Sequence, residues 1–179
     1  MPSKSSRRRK ASRQKNGKQN TVFQLNGPRK LESKNSFVDE IMTLDLTSLT
    51  RSITVLRESV EDNFRNGAAF SPLQQETFRA GIIQNFEIAY ELCWKTMKRW
   101  IEENVSPDVL FGVPRIELFR RAAENGLIDG VEKWMTFHQA RNSTSHIYSA
   151  AVAAEVYEAA VRFVPEAEAF LQNVTVRNG

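Results

Sequence analysis

From Leu46 onward, apolar residues return every three or four positions, the pattern of helices with one buried face. Leu46, Leu49, Ile53, Leu56, Val60 and Phe64 predict a first helix from about Leu46 to Arg65, stopped by Asn66-Gly67. Ser71-Pro72-Leu73-Gln74 then forms a capping box with proline at the first helical position. Behind it, Phe78, Ile82, Phe86, Tyr90, Trp94, Met97 and Ile101 mark one stripe. Continued to Asn104, that helix would be ~50 Å long at ~1.5 Å per residue. Gly81 lies inside it at a cost near ~1 kcal/mol relative to alanine, which reads either as close approach of another backbone or as tolerance.

A short third helix is expected from Pro114 to Gly126, with Ile116, Phe119 and Ala123 inward. A fourth should start at Asp129, where Asp129-Gly130-Val131-Glu132 has capping-box spacing, and run to about Asn142 with Val131, Trp134 and Met135 inward. The last stretch, from Ser149 to about Val174, turns Ala151, Val152, Val156, Ala160 and Phe163 inward. Pro165 is expected to kink or split it. No strand-like alternation stands out. The pattern therefore predicts an all-α fold, an up-and-down antiparallel bundle of four or five helices over residues 39–176. No stretch approaches the ~18 to 20 consecutive apolar residues that span a bilayer.

Charge changes the picture at the N-terminus. Residues 1–36 carry 11 Lys/Arg against one acid, whereas the remaining residues carry 14 against 20. The formal net charge of +4 thus belongs to the arm, and the bundle is acidic. Residues 1–38 read as a disordered basic arm, too polar to offset its ordering entropy. Such an arm either holds polyanions by counterion release or is a solvated tail. A transit peptide is a weaker reading, because the arm lacks amphipathic periodicity. The lone Cys93 sits within the second helix, reads as a small buried hydrophobe and fits a reducing, cytoplasmic setting.

Candidate chemistry gathers in Ala140-Arg141-Asn142-Ser143-Thr144-Ser145-His146-Ile147-Tyr148. The small polar run Asn142 to Ser145 favours turns over helix interiors. On a straight helix Arg141 and His146 would point ~140° apart. A break in that run, or packing against a second copy, would let them meet. Histidine titrates nearest neutrality and arginine offers a donor fork matched to phosphate, so the pair is a minimal kit for cleaving RNA by transesterification. Asn142 could orient the ring or the phosphate, and Tyr148 adds a hydroxyl. Spacing alone leaves open a helix-start role for His146 and a surface ion pair for Arg141. Glu87, Glu91 and Lys95 are spaced one turn apart and read as helix-surface pairs, or, for Glu87 and Lys95, as lining of the cleft or the dimer face. His138 and His146 lack a third ligand, so no metal site is called, and no cofactor is called either. Trp94 and Trp134 read as core.

The segment resembles the Arg-Asn-x-x-x-His-x-Tyr signature of HEPN proteins, and within them the nucleotidyltransferase substrate-binding group. Arg79-Ala80-Gly81-Ile82-Ile83-Gln84-Asn85-Phe86-Glu87, Glu91-Leu92-Cys93-Trp94-Lys95-Thr96-Met97-Lys98 and the stretch Arg120 to Asp129 are similar to that group as well. The resemblance covers Leu44 to Val174 and leaves out the basic arm. It implies a homodimer with Arg141 and His146 in an interface cleft, supported by Asn142, Glu87 and Lys95. It further implies a ribonuclease toxin acting on RNA, neutralised when a minimal nucleotidyltransferase antitoxin transfers AMP to Tyr148. The alternative is a non-catalytic substrate- or nucleotide-binding subunit of a two-component nucleotidyltransferase.

Overall fold

The computed structural model describes residues 43–107, 112–146 and 149–178. The basic arm expected over residues 1–38 lies outside the described residues, as does Tyr148. Five α-helices and no strands make up the described chain: α1 (Thr47–Asn66), α2 (Pro72–Asn104), α3 (Arg115–Glu124), α4 (Val131–Ser143) and α5 (Ala150–Arg177). Short 3-10 turns follow α1 (Gly67–Ala69) and α4 (Thr144–His146).

The turn at Gly67–Ala69 folds α2 back along α1, and α5 packs on α1, α2 and α4. Asn178, just past α5, bonds both backbone groups of Leu44 at 2.8 and 2.9 Å, tying the end of α5 to the entry of α1. Residues 141 and 144 of α4 and its turn meet positions 91 and 87 of α2, so those two helices also run in opposite senses. The helical periodicity is thus realised as the expected bundle, because each apolar stripe can be buried only against another.

Trp134 centres the interior. It is fully buried, with ring centroids of Phe119, Phe163 and Phe170 between 5.5 and 5.8 Å away. Cys93 is fully buried too, and burial pushes its thiol pKa far above the ordinary value. The Ser71 capping box is present, with the Ser71 side chain accepting from Gln74 and the Gln74 side chain accepting from the Ser71 N–H at 2.8 Å.

Several details differ from the periodicity reading. Phe64 is 68 % exposed, although it falls on the apolar stripe expected of α1. No atom lies within 4 Å of a β-carbon built on Gly81, so that glycine is merely tolerated. In α3 the buried residues are Leu118, Phe119 and Ala122, with Ile116 only half-buried. Asp129 does not cap α4, whose flanking residue is Gly130 with no side-chain cap bond. Ala151 is exposed, since the helix has only just begun there. Pro165 neither splits nor ends α5. It lies on the exposed face, so the carbonyl one turn earlier that loses its donor is on the solvent side. Gly126 ends α3 at φ 67°, and the bonds Leu127 N to Ala122 O (2.8 Å) and Gly126 N to Ala123 O (2.9 Å) close a Schellman turn.

Candidate active site

α4 stops where the small polar run begins to dominate. Its last α-helical residue is Ser143, and Thr144–His146 tighten into a 3-10 turn. The chain thus tightens between Arg141 and His146 but stays helical, with Thr144 at φ −60° and ψ −26°, so the expected sharp break is not seen there. The side chain of His146 lies outside the described atoms.

Two carboxylates of α2 grip this end of α4. Glu91 Oε1 lies 3.0 Å from Arg141 Nε. The Nε–H does not point at that oxygen, so the pair is an electrostatic contact rather than an aligned hydrogen bond. Glu91 also accepts from Trp94 Nε1 at 3.0 Å and lies 3.6 Å from Lys95 Nζ. One turn earlier, Glu87 accepts from Thr144 Oγ1. Thr144 Oγ1 is also 2.7 Å from the carbonyl of Arg141, so its single proton is shared between two acceptors. Thr144 is buried, which makes its bond to Glu87 the anchor of the turn.

His138 sits one turn before Asn142. Its Nδ1 is 2.9 Å from the hydroxyl of buried Tyr90 and its ring stacks on that tyrosine at 6.0 Å. Its Nε2 is 3.3 Å from Asn142 Nδ2. If Tyr90 donates, Nε2 carries the proton and the Asn142 amide turns its oxygen inward. If Asn142 donates, Nδ1–H donates to Tyr90 instead. Either way the neutral ring is favoured. Burial lowers the His138 pKa, and the charges of Arg115 and Arg141 lower it further. Burial likewise raises the Tyr90 hydroxyl well above its ordinary range.

Of the residues singled out from sequence, Arg141, Asn142 and Glu87 come together at the α2–α4 seam. Lys95 is more peripheral, exposed and paired with Glu91. Trp134 is core as expected, whereas Trp94 is only half-buried and carries Arg115 on its ring, Cζ 3.6 Å from the centroid. Glu91 as the partner of Arg141 was not foreseen, since helix spacing pairs it only with Lys95. Arg115 carries no sequence signal at all. Among the described residues no three His, Cys, Asp or Glu side chains gather as metal ligands. No described helix is long and apolar enough to cross a membrane.

Comparison with known proteins adds to this geometry. The profile of the family described as nucleotidyltransferase substrate binding protein like matches residues 44–176. A Haemophilus influenzae protein named "Probable ribonuclease HepT" is 33% identical over 138 residues, covering 75% of this chain and 94% of its own length. A solved Haemophilus influenzae structure, described as revealing the fold of a substrate binding domain of a nucleotidyltransferase, is similar with a TM-score of 0.69 and 30% identity. That likeness covers 73% of this chain and 99% of the solved one.

Proposed function

The chain belongs to the nucleotidyltransferase substrate-binding protein family within the HEPN group, and from that membership we propose that it is a metal-independent endoribonuclease. In this reading it is the toxin of a HEPN/minimal-nucleotidyltransferase pair in the cytoplasm, and works as a homodimer. The observation that carries it is the contact of Arg141 with Glu91 on the last turn of α4 before it tightens into the 3-10 turn. The likeness to a protein named as a ribonuclease supports the same reading.

The chemistry follows from the residue types. His146 takes the proton of a ribose 2′-OH, and the 2′-oxygen attacks the adjacent phosphorus. Arg141 meets Glu91 through Nε, which leaves its terminal nitrogens for the charge that develops on the phosphorane oxygens. The bond to the 5′-oxygen breaks, that oxygen takes the proton held on His146, and a 2′,3′-cyclic phosphate remains. Asn142 orients the reacting groups, while Glu87 and Lys95 support the cleft. AMP transferred to Tyr148 by the antitoxin adds bulk and a negative phosphate that occupies Arg141, which excludes RNA.

The experiment is incubation of the pure chain with RNA in EDTA. Cleavage is expected, lost in His146→Ala with folding and dimer mass unchanged. An equally active, folded H146A variant would end the catalytic assignment. The description of the similar solved structure favours a second reading, a non-catalytic subunit that presents substrate to a transferase. No cleavage alongside tight binding of a nucleotidyltransferase would establish that alternative.

A further inference from the structure

A cleft of about 380 Å³ opens between the C-terminal half of α2 and the start of α3, beside the seam that holds Arg141. Lys98 from α2, Arg115 from the first turn of α3 and His138 from α4 all line it. Arg115 rests on the Trp94 ring, which holds a guanidinium in place without consuming its hydrogen-bond donors. Among the described carboxylates nearby, Glu91 is engaged elsewhere and Glu102 pairs with Lys98 itself. Glu91 meets Arg141, Lys95 and Trp94, and Glu102 lies 3.5 Å from Lys98 on an exposed face. Among the described residues Arg115 makes no ion pair within 4.0 Å. The start of α3 also enters this cleft without a side-chain cap.

Arg115 and His138 line this cleft together, and Arg141 lies one turn beyond His138 on α4. That imidazole is kept neutral and adds no third positive charge to the crowd. The half-buried Arg115 on its Trp94 ring and the partly exposed Lys98 are the donors this cleft offers, of the kind that suits a tetrahedral oxyanion, while both ring nitrogens of His138 are already engaged. An RNA strand brings such anions in series, and backbone phosphate contacts set its register without reading its bases.

We infer that this cleft is a second phosphate subsite, in which Arg115 and Lys98 hold a backbone phosphate of the RNA strand next to the one at Arg141. The identity of the strand as RNA rests on the ribonuclease reading above. The anion chemistry of the cleft does not.

The full chain has two histidines, so the His138 ring signal is readily assigned by NMR. Inorganic phosphate titrated at constant pH and ionic strength should shift that signal saturably, and Arg115→Gln should remove the shift. In steady-state RNA cleavage, R115Q should raise KM about tenfold with kcat within about twofold, and flatten the salt dependence by about one phosphate contact. Lys98→Gln, whose stem is exposed, should raise KM by about threefold and serves if R115Q loses its helical circular dichroism. Absence of the phosphate shift, or its persistence in R115Q and K98Q, overturns the subsite. A normal phosphate response with unchanged KM in both variants leaves a site for free anions and overturns its assignment to RNA. If the wild-type chain cleaves nothing, the ribonuclease reading fails, while the titration alone still decides whether the cleft holds phosphate.

Discussion

Trp134 and Arg141 sit on the same helix, two turns apart, in unlike surroundings. Trp134 is enclosed by aromatic rings, and its buried Nε1–H has no hydrogen-bond partner among the described residues. Arg141, a third exposed, lies among Glu91, Thr144 and the His138 ring, at the edge where α4 gives way to a tighter turn. The first region gains from being dry and closely packed. The second uses its half-burial to hold charges near each other without extinguishing them. A packed end and a charged end are thus separated along one short helix, which leads to distinct expectations for the two.

The largest effect should come from the interior. Trp134→Ala removes a fully buried ring and should cost about 3–5 kcal/mol, read as a lowered denaturant midpoint. Replacing Thr144 by Val keeps the shape of the turn but removes the donor to Glu87, and should cost about 1–3 kcal/mol by the same measurement. If T144V were as costly as W134A, the separation of the two regions would be wrong.

Glu91→Gln should cost less than about 1 kcal/mol, since both partners are partly solvated and the Nε–H is not aligned. Its clearer signature is electrostatic. The Glu91 charge raises the His138 pKa against the larger lowering influences, so E91Q should lower that pKa further, as followed by NMR titration.

The smallest effect is a pH dependence of stability. The folded pKa of His138 lies below its ordinary value of 6.5, so the unfolded chain binds the proton more readily. Its contribution to stability is present above about pH 6.5 and is lost as pH falls through the lowered folded value. Denaturation midpoints should therefore decline on acidification through that window, and less steeply in His138→Gln. An identical decline in both proteins would show that other groups govern it.

Much of the fold is legible in the residues because helix periodicity and caps are local properties. The Ser71 capping box and the apolar stripe of α2 specify that helix almost to the residue, and the run Asn142 to Ser145 announces the end of α4. Where only local rules were available, errors follow. Asp129 has capping spacing without capping, and Pro165 is tolerated because the face it occupies is exposed. The site was legible as residue types and spacing around Arg141, but not as partnerships.

By itself, the sequence determines where helices form, which stripe of each is apolar, and where the polar break after Arg141 falls. Only the tertiary structure decides that Glu91 meets Arg141, that Glu87 anchors Thr144 and that Arg115 rests on Trp94. Those contacts join residues far apart in the chain, and their geometry depends on how two helices are rotated and slid against each other. Periodicity tells each helix which face to bury, and the packing of the assembled bundle sets which charges on the rims of those faces end up side by side.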